Sequence, residues 1–184
     1  MAEPAISHRL PSVEEYLKLE ESATVRHEYV GGTIHAMVEA TKRHNRISGN
    51  IYRRLADAAS DGPCRVYMET VKLRTAADTV YYPNVMVACG SESEDPYMEN
   101  DPCLAVEVIS PGTETTDRRE KLAAYKRMPN LEAYLIVAQD RKWIERHFRG
   151  EDGVWRRADL VDEGELPIPC LEMKLSLAEI YEGL

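Results

Sequence analysis

The chain has 184 residues, 43% of them hydrophobic and 30% charged, and a formal net charge of −9 from 32 acidic and 23 basic side chains. That balance excludes a disordered or fibrous chain and fits one domain with a sizeable core. No apolar run reaches the roughly 18 residues that span a membrane, and the acidic excess argues against a protein that coats nucleic acid nonspecifically.

The opening "MAEPAISHRLPS" lacks the basic-then-apolar layout of a secretory signal, so the cytoplasm is the expected location. Cys64, Cys89, Cys103 and Cys170 are widely spaced with no C-x-x-C pair. The spacing favours small buried apolar side chains over a zinc site or a disulfide framework.

In chain order, Ser12 followed by Glu15 forms a capping box that starts a short amphipathic helix. "HEYVGGTIHAMV" reads as two strands around Gly31-Gly32. "TKRHNRISGNIYRRLADAAS" spaces Ile47, Ile51, Leu55 and Ala58 as one helix face, stopped by Asp61-Gly62-Pro63. Three strands are expected next, "CRVYMETVKLRT", "VYYPNVMVAC" and "CLAVEVIS", the last two separated by an acidic loop. "SPGTETTD" leads into the helix "DRREKLAAYKRM", and "LEAYLIVAQ" is a strand of the buried type. "KWIERHFRGEDGVWRRADLV" is a hairpin around Asp152-Gly153, and "LSLAEIYEGL" a final helix capped by Ser176. This order predicts an α/β (α+β) layer, a central mixed β-sheet flanked by helices, with an added N-terminal helix and hairpin and a C-terminal hairpin.

Glu107 lies in an otherwise apolar strand, and a buried charge there is unfavourable unless something compensates it. A divalent cation shared with a second carboxylate on the neighbouring strand is one solution. Such a pair is a minimal hard-metal site of the kind that hydrolyses phosphodiesters, with a nearby lysine to orient water or neutralise phosphate. The place for that second carboxylate is position 84, which holds Asn. Alternation puts Glu107 on one sheet face with Ala105 and Ile109, opposite Val106 and Val108. In the next helix Arg118, Lys121 and Tyr125 share a face, from which Lys121 can reach Glu107. The other reading of Glu107 is a buried ion pair with Arg118 or Lys121, and of Asn84 an amide satisfied by backbone. Lys42, Arg43, Arg46, Arg53 and Arg54 make the first core helix basic, either a solvated face or the surface that meets phosphate. Trp143 and Trp155 in the hairpin are read as packing residues, and the hairpin's apolar edge suggests a homodimer.

The blocks "RHEYVGGTIHAM", "YYPNVMVAC", "PCLAVEVISPGTETTDRREKLAAYKRMPNLEAYLIV" and "LSLAEIY" together resemble the Uma2 family. That family is described as restriction endonucleases of the PD-(D/E)xK nuclease superfamily. The likeness runs from about Ser12 to Tyr181, and its most specific piece is the "VEVISPGT" block with the following "DRR". It implies a restriction-endonuclease-like fold over residues 1–184, with a core at about 41–139. It also implies a DNA-cleaving activity that uses Mg²⁺ or Mn²⁺. The family pattern places an Asp after Pro83 and a Glu at Glu107 as metal ligands, a basic residue at Lys121, an accessory acid at Glu28, and a histidine at His44. DNA contacts would then come from His44, Arg43, Arg46 and Arg118. This chain departs at Asn84, where an amide oxygen can still ligate but brings no charge, a loss of roughly a few kcal/mol of metal stabilisation. Glu28 or Glu69 would compensate if either folds toward the site. Two functions remain open: an impaired metal-dependent endonuclease, or an inactive nuclease-fold protein that binds nucleic acid or a protein partner.

Overall fold

Ser12 opens the first helix as its capping box requires. Its hydroxyl accepts from the Glu15 N–H at 3.3 Å, while the Glu15 carboxylate accepts from the Ser12 N–H at 2.7 Å. This is seen in a computed structural model that describes residues 9–37, 39–109 and 117–184. The helix, α1 (Val13–Glu20), packs Tyr16 on Tyr29 of the hairpin β1 (His27–Val30) and β2 (Thr33–Ala36), the rings 5.1 Å apart. Helix α2 (Lys42–Ala59) buries Ile47, Ile51 and Leu55. Its apolar stripe continues to Ala59 rather than to the expected Ala58, which is exposed, because steps of four keep residues on one face.

The first two of the three expected strands each break in the middle. "CRVYMETVKLRT" becomes β3 (Arg65–Met68) and β4 (Lys72–Ala76), and "VYYPNVMVAC" becomes β5 (Thr79–Tyr81) and β6 (Val85–Ala88). Pro83 lacks the N–H that a ladder needs, and Glu69 adopts a left-handed φ of 49°. At these two points both chain segments leave one sheet for another. The Glu69 N–H bridges them, reaching the carbonyls of Pro83 at 3.2 Å and Asn84 at 3.3 Å. The Pro83-Asn84 pair is therefore a junction between sheets, not the interior of a strand.

A two-residue strand, β7 (Met98–Glu99), lies in the acidic loop, and β8 (Leu104–Ile109) and β9 (Ala133–Ala138) are buried throughout. The expected loop Ser110–Thr116 lies outside the described residues. The following helix begins as a π-helical turn, Asp117–Lys121, and continues as α3 (Leu122–Tyr125). The C-terminal hairpin is β10 (Trp143–Arg149) and β11 (Trp155–Val161). A further hairpin not anticipated, β12 (Glu165–Ile168) and β13 (Met173–Ser176), is joined by a 3₁₀ turn at Pro169–Leu171. Ser176 caps the final helix, α4 (Leu177–Ile180), in a second capping box with Glu179.

Three sheets result, flanked by the helices. One has the order β2-β1-β5-β4-β7, the second β11-β10-β9-β8-β6-β3, and the third is β12-β13. The six-stranded sheet is mixed: β8 and β9 are parallel, as a strand–helix–strand unit requires, and the other pairs are antiparallel. One of its faces packs Val85, Val106, Val108 and Val137 beneath α2 and α4. The other packs Met86, Ala105, Ile136 and Tyr134 against Tyr125, Leu73 and Tyr81.

Strand pairing overturns the expected state of the cysteines. Cys64 and Cys89 flank the paired ends of β3 and β6, and they form a disulfide, as do Cys103 and Cys170. The hairpin edge expected to be apolar is charged: β11 presents Arg156, Arg157 and Asp159 to solvent, which discourages strand pairing. Trp143 and Trp155 do pack, against the Tyr125–Tyr134 cluster.

Candidate active site

The antiparallel register of β6 and β8 pairs Val85 with Val106 and Met86 with Ala105. One step outward, Asn84 lies opposite Glu107 on the same face, because directly opposed residues in an antiparallel ladder point the same way. Both are buried, at 9% and 4% exposure. Glu107 shares its face with Ala105 and Ile109, as alternation predicts.

Lys121 stands at the end of the π-helical turn and Tyr125 one α-turn further, and both meet the same oxygen. Glu107 Oε1 accepts from Lys121 Nζ at 3.1 Å and from the Tyr125 hydroxyl at 3.0 Å. Glu28, on β1 of the neighbouring sheet, brings a second carboxylate to the same amine at 2.8 Å, and its Oε1 also accepts the Tyr82 N–H at 3.3 Å. The Tyr81 ring lies 5.4 Å from the ammonium. Burial, reinforced by the negative Glu107, pushes the Tyr125 phenol well above its usual range, so it stays protonated and donates. Tyr81 is raised too, by burial and then by Glu120, to which its hydroxyl donates at 3.2 Å.

Asn84 has a structural task. Its Oδ1 accepts the Val108 N–H at 2.7 Å and so extends the β6–β8 ladder past the junction. An amide oxygen has a second lone pair, so this bond leaves one acceptor position. Glu69 is the backbone neighbour of Asn84, and its buried Oε1 has no hydrogen-bond partner among the described residues.

The other expected residues lie elsewhere. Arg118 does not join Lys121, because the π-helical turn rotates it toward β10. It pairs with Glu145 and stacks 4.7 Å over the Trp143 ring. Arg43 and His44 stand in the first turn of α2. The Arg43 guanidinium donates to the Gln139 carbonyl and Thr41 to the Gln139 side chain at 2.6 Å, which docks that turn beyond the C-terminal end of β9. His44 is buried there, and its backbone N–H donates to the Thr41 hydroxyl at 3.0 Å. Arg46 is exposed one turn on. The helix itself covers the sheet face opposite Glu107. The basic stripe is also less cationic than its sequence implies, since Arg53 pairs with Glu182 and Arg54 with Glu179 and Glu182.

Sequence reading missed a second polar group on the Glu107 face. Register runs from Glu107 to Ile136 on β9, Glu145 on β10 and Asp159 on β11. Glu145 is buried and takes Arg118, Arg157 at 3.4 Å and His147 Nε2 at 2.6 Å. Burial holds His147 below its ordinary value, against the opposing pull of Glu145. The alternation of Glu145 and His147 in "WIERHFR" was the available signal.

The donors around Lys121 are hard oxygens, two carboxylates and one amide, which suit Mg²⁺ or Mn²⁺ rather than a soft ion. Their charge is thin: two carboxylates against one ammonium leave a single net negative charge.

Among curated proteins, the chain is 31% identical over 175 residues to "Uncharacterized protein slr1290" of Synechocystis, covering 94% of this chain and 92% of that protein. It is 28% identical over 162 residues to "Uncharacterized protein sll1609" of the same organism, covering 84% and 90%. A crystal structure described as a "putative nuclease belonging to DUF820" from Anabaena variabilis superposes with a TM-score of 0.76 at 16% identity, covering 93% of this chain and 97% of that one, which shows a shared fold. Residues 13–179 match the Uma2 family, described as "Putative restriction endonuclease", and with that span the chain belongs to it.

Proposed function

We propose that this chain is a metal-dependent endodeoxyribonuclease whose site is short of one negative charge. The observation that carries this reading is the meeting of Glu107, Lys121 and Glu28 beside Asn84 in a chain of a nuclease family. Glu107, Asn84 and Glu28 would hold Mg²⁺ or Mn²⁺. When bound, such an ion supplies positive charge at the scissile phosphate and favours ionisation of water. Lys121 would neutralise phosphate charge and orient the attacking water, and Tyr125 would fix the Glu107 carboxylate by its donated hydrogen bond. Asn84 would contribute an uncharged oxygen, and the ion would be held more weakly for it. Arg43, His44 and Arg46 at the start of α2, with Arg118 toward the hairpin, are the proposed contacts to DNA. Residues 1–184 would act as one nuclease-like unit.

A second reading is favoured by the same bonds. Asn84 Oδ1 is already engaged by Val108, and Lys121 already spans two carboxylates, as in a buried ion-pair network that only holds the sheets together. The protein would then bind nucleic acid or a protein partner without cutting.

Plasmid nicking in Mg²⁺ and in Mn²⁺, comparing the native chain with Asn84→Asp and Glu107→Gln, separates the two. Cleavage by the native chain or by Asn84→Asp, lost in Glu107→Gln, supports the nuclease. Salt-sensitive DNA binding with no cleavage by any form supports the binding module.

A further inference from the structure

The four cysteines come from four distant segments, yet three of their sulfurs cluster and the fourth, Cys64, is bonded to one of the three. Cys64 precedes β3, Cys89 follows β6 and Cys103 precedes β8, and the sheet order β8-β6-β3 with antiparallel ladders brings those three strand ends together. The 3₁₀ turn at Pro169–Leu171 delivers Cys170 to the same place. Cys64 is bonded to Cys89 and Cys103 to Cys170, but the two bridges are not separate. Cys89 Sγ lies 3.6 Å from Cys103 Sγ, and the sulfurs of Cys89, Cys103 and Cys170 all fall within 4.8 Å of one another.

Two structural disulfides have no need to touch, whereas four sulfurs around one ion must. A tetrahedral thiolate site with metal–sulfur bonds of about 2.3 Å has sulfur–sulfur edges of about 3.8 Å. The non-bonded Cys89–Cys103 spacing is close to that edge. From this geometry we propose that, when reduced, Cys64, Cys89, Cys103 and Cys170 form a tetrathiolate site for one Zn²⁺. Four protein ligands leave no open position, which makes the site structural rather than catalytic. Soft sulfur ligands also select against Mg²⁺, so this site and the carboxylate site take different ions.

The chemistry balances with a dithiol as reductant. Two equivalents deliver four electrons and four protons, break both S–S bonds and leave as cyclic disulfides. Zn²⁺ then displaces four protons from the four thiols, giving a centre of net charge −2. Its surroundings are mixed in charge: Asp101 and Glu132 line the same cavity as Arg149, and Arg65 lies 3.9 Å from Glu99. That cavity, of about 400 Å³, opens onto Cys89, Cys103 and Cys170. Arg65 donates to the carbonyl of Gly90, the residue after Cys89, at 3.0 Å. The cavity also gives ion and reductant a path to the sulfurs.

The test uses the full chain, reduced with a dithiol under nitrogen, loaded with zinc chloride and desalted. The expected result is one zinc per chain by elemental analysis, and four thiols that resist alkylation until zinc is chelated. Replacement by Co²⁺ should give the visible absorption of tetrahedral cobalt–thiolate. Cys89→Ser and Cys170→Ser should each lower zinc retention at least tenfold, while Glu107→Gln retains it fully, which separates this site from the carboxylate one. A reduced chain that keeps its cooperative thermal transition and retains no zinc overturns the proposal. So does a native chain whose two disulfides survive dithiol treatment intact by mass spectrometry.

Discussion

β6 and β8 carry different chemistry at their two ends. At one end Asn84 and Glu107 face the five-stranded sheet with Lys121, Tyr125 and Glu28: hard oxygens, one amine and almost no solvent. At the other, roughly 13–17 Å away at the ordinary rise of a strand, Cys89 and Cys103 join Cys64 and Cys170 beside an open cavity. The first end is held by charge and hydrogen bonds, so its strength depends on each ionised group. The second is held by covalent bonds between elements far apart in sequence and owes nothing to net charge. The contrast shows how one pair of strands can be anchored at one end and left chemically tunable at the other.

The largest effect is expected from Glu107→Gln. It keeps shape and an acceptor for Lys121 and Tyr125 but removes the charge, so nicking in Mn²⁺ should fall by ~10²–10⁴-fold. The disulfide end should be untouched, as a thiol titration would confirm. Leu104→Ala lies between the two ends in a fully packed site. It should cost about 2–5 kcal/mol of stability in denaturant unfolding, and weaken both ends together.

Asn84→Asp adds one negative charge at the carboxylate end and none at the cysteine end. Cleavage at limiting Mg²⁺ should rise about tenfold or more, as a gain of at least ~1.4 kcal/mol in ion binding implies. Calorimetric Mg²⁺ titration of the two forms checks it.

His147 gives a smaller, pH-dependent effect on the carboxylate face. Its Nε2 is engaged by Glu145, and its buried Nδ1 has no partner among the described residues, so burial disfavours the charged ring. Because its folded titration lies below the ordinary value, the unfolded chain binds the extra proton first. Its contribution to stability is therefore full above about pH 6.5 and is lost as pH falls through that window. Thermal melts between about pH 7.5 and about pH 5.5 should show a decline that His147→Gln flattens.

The smallest effect concerns α2. Arg46→Ala should reduce the salt slope of DNA binding by about one, while Arg53→Ala, already paired with Glu182, should leave it unchanged. Binding isotherms at several salt concentrations distinguish the two.

Local signals in the sequence carried much of this. Ser12-Glu15 and Ser176 marked helix starts because capping is a short-range bond, and the alternation around Glu107 fixed its face because a strand has period two. What sequence left hidden depends on long-range packing. No local pattern says that Glu69 and Pro83 pass two segments between sheets, or that the ends of β3, β6 and β8 coincide and so bring the cysteines together. The π-helical turn that sends Arg118 to Glu145 and Lys121 to Glu107 has no sequence signature at this length. The acids that neutralise Arg53 and Arg54 lie more than a hundred positions downstream.

The bond from Val108 N–H to Asn84 Oδ1 has a consequence for how such proteins change over time. An aspartate at 84 would accept that same bond with the same shape, so the exchange alters charge without disturbing the ladder. Asparagine and aspartate codons differ by a single base. A lineage can therefore pass between a charged and an uncharged site in one mutational step, through no unfolded intermediate.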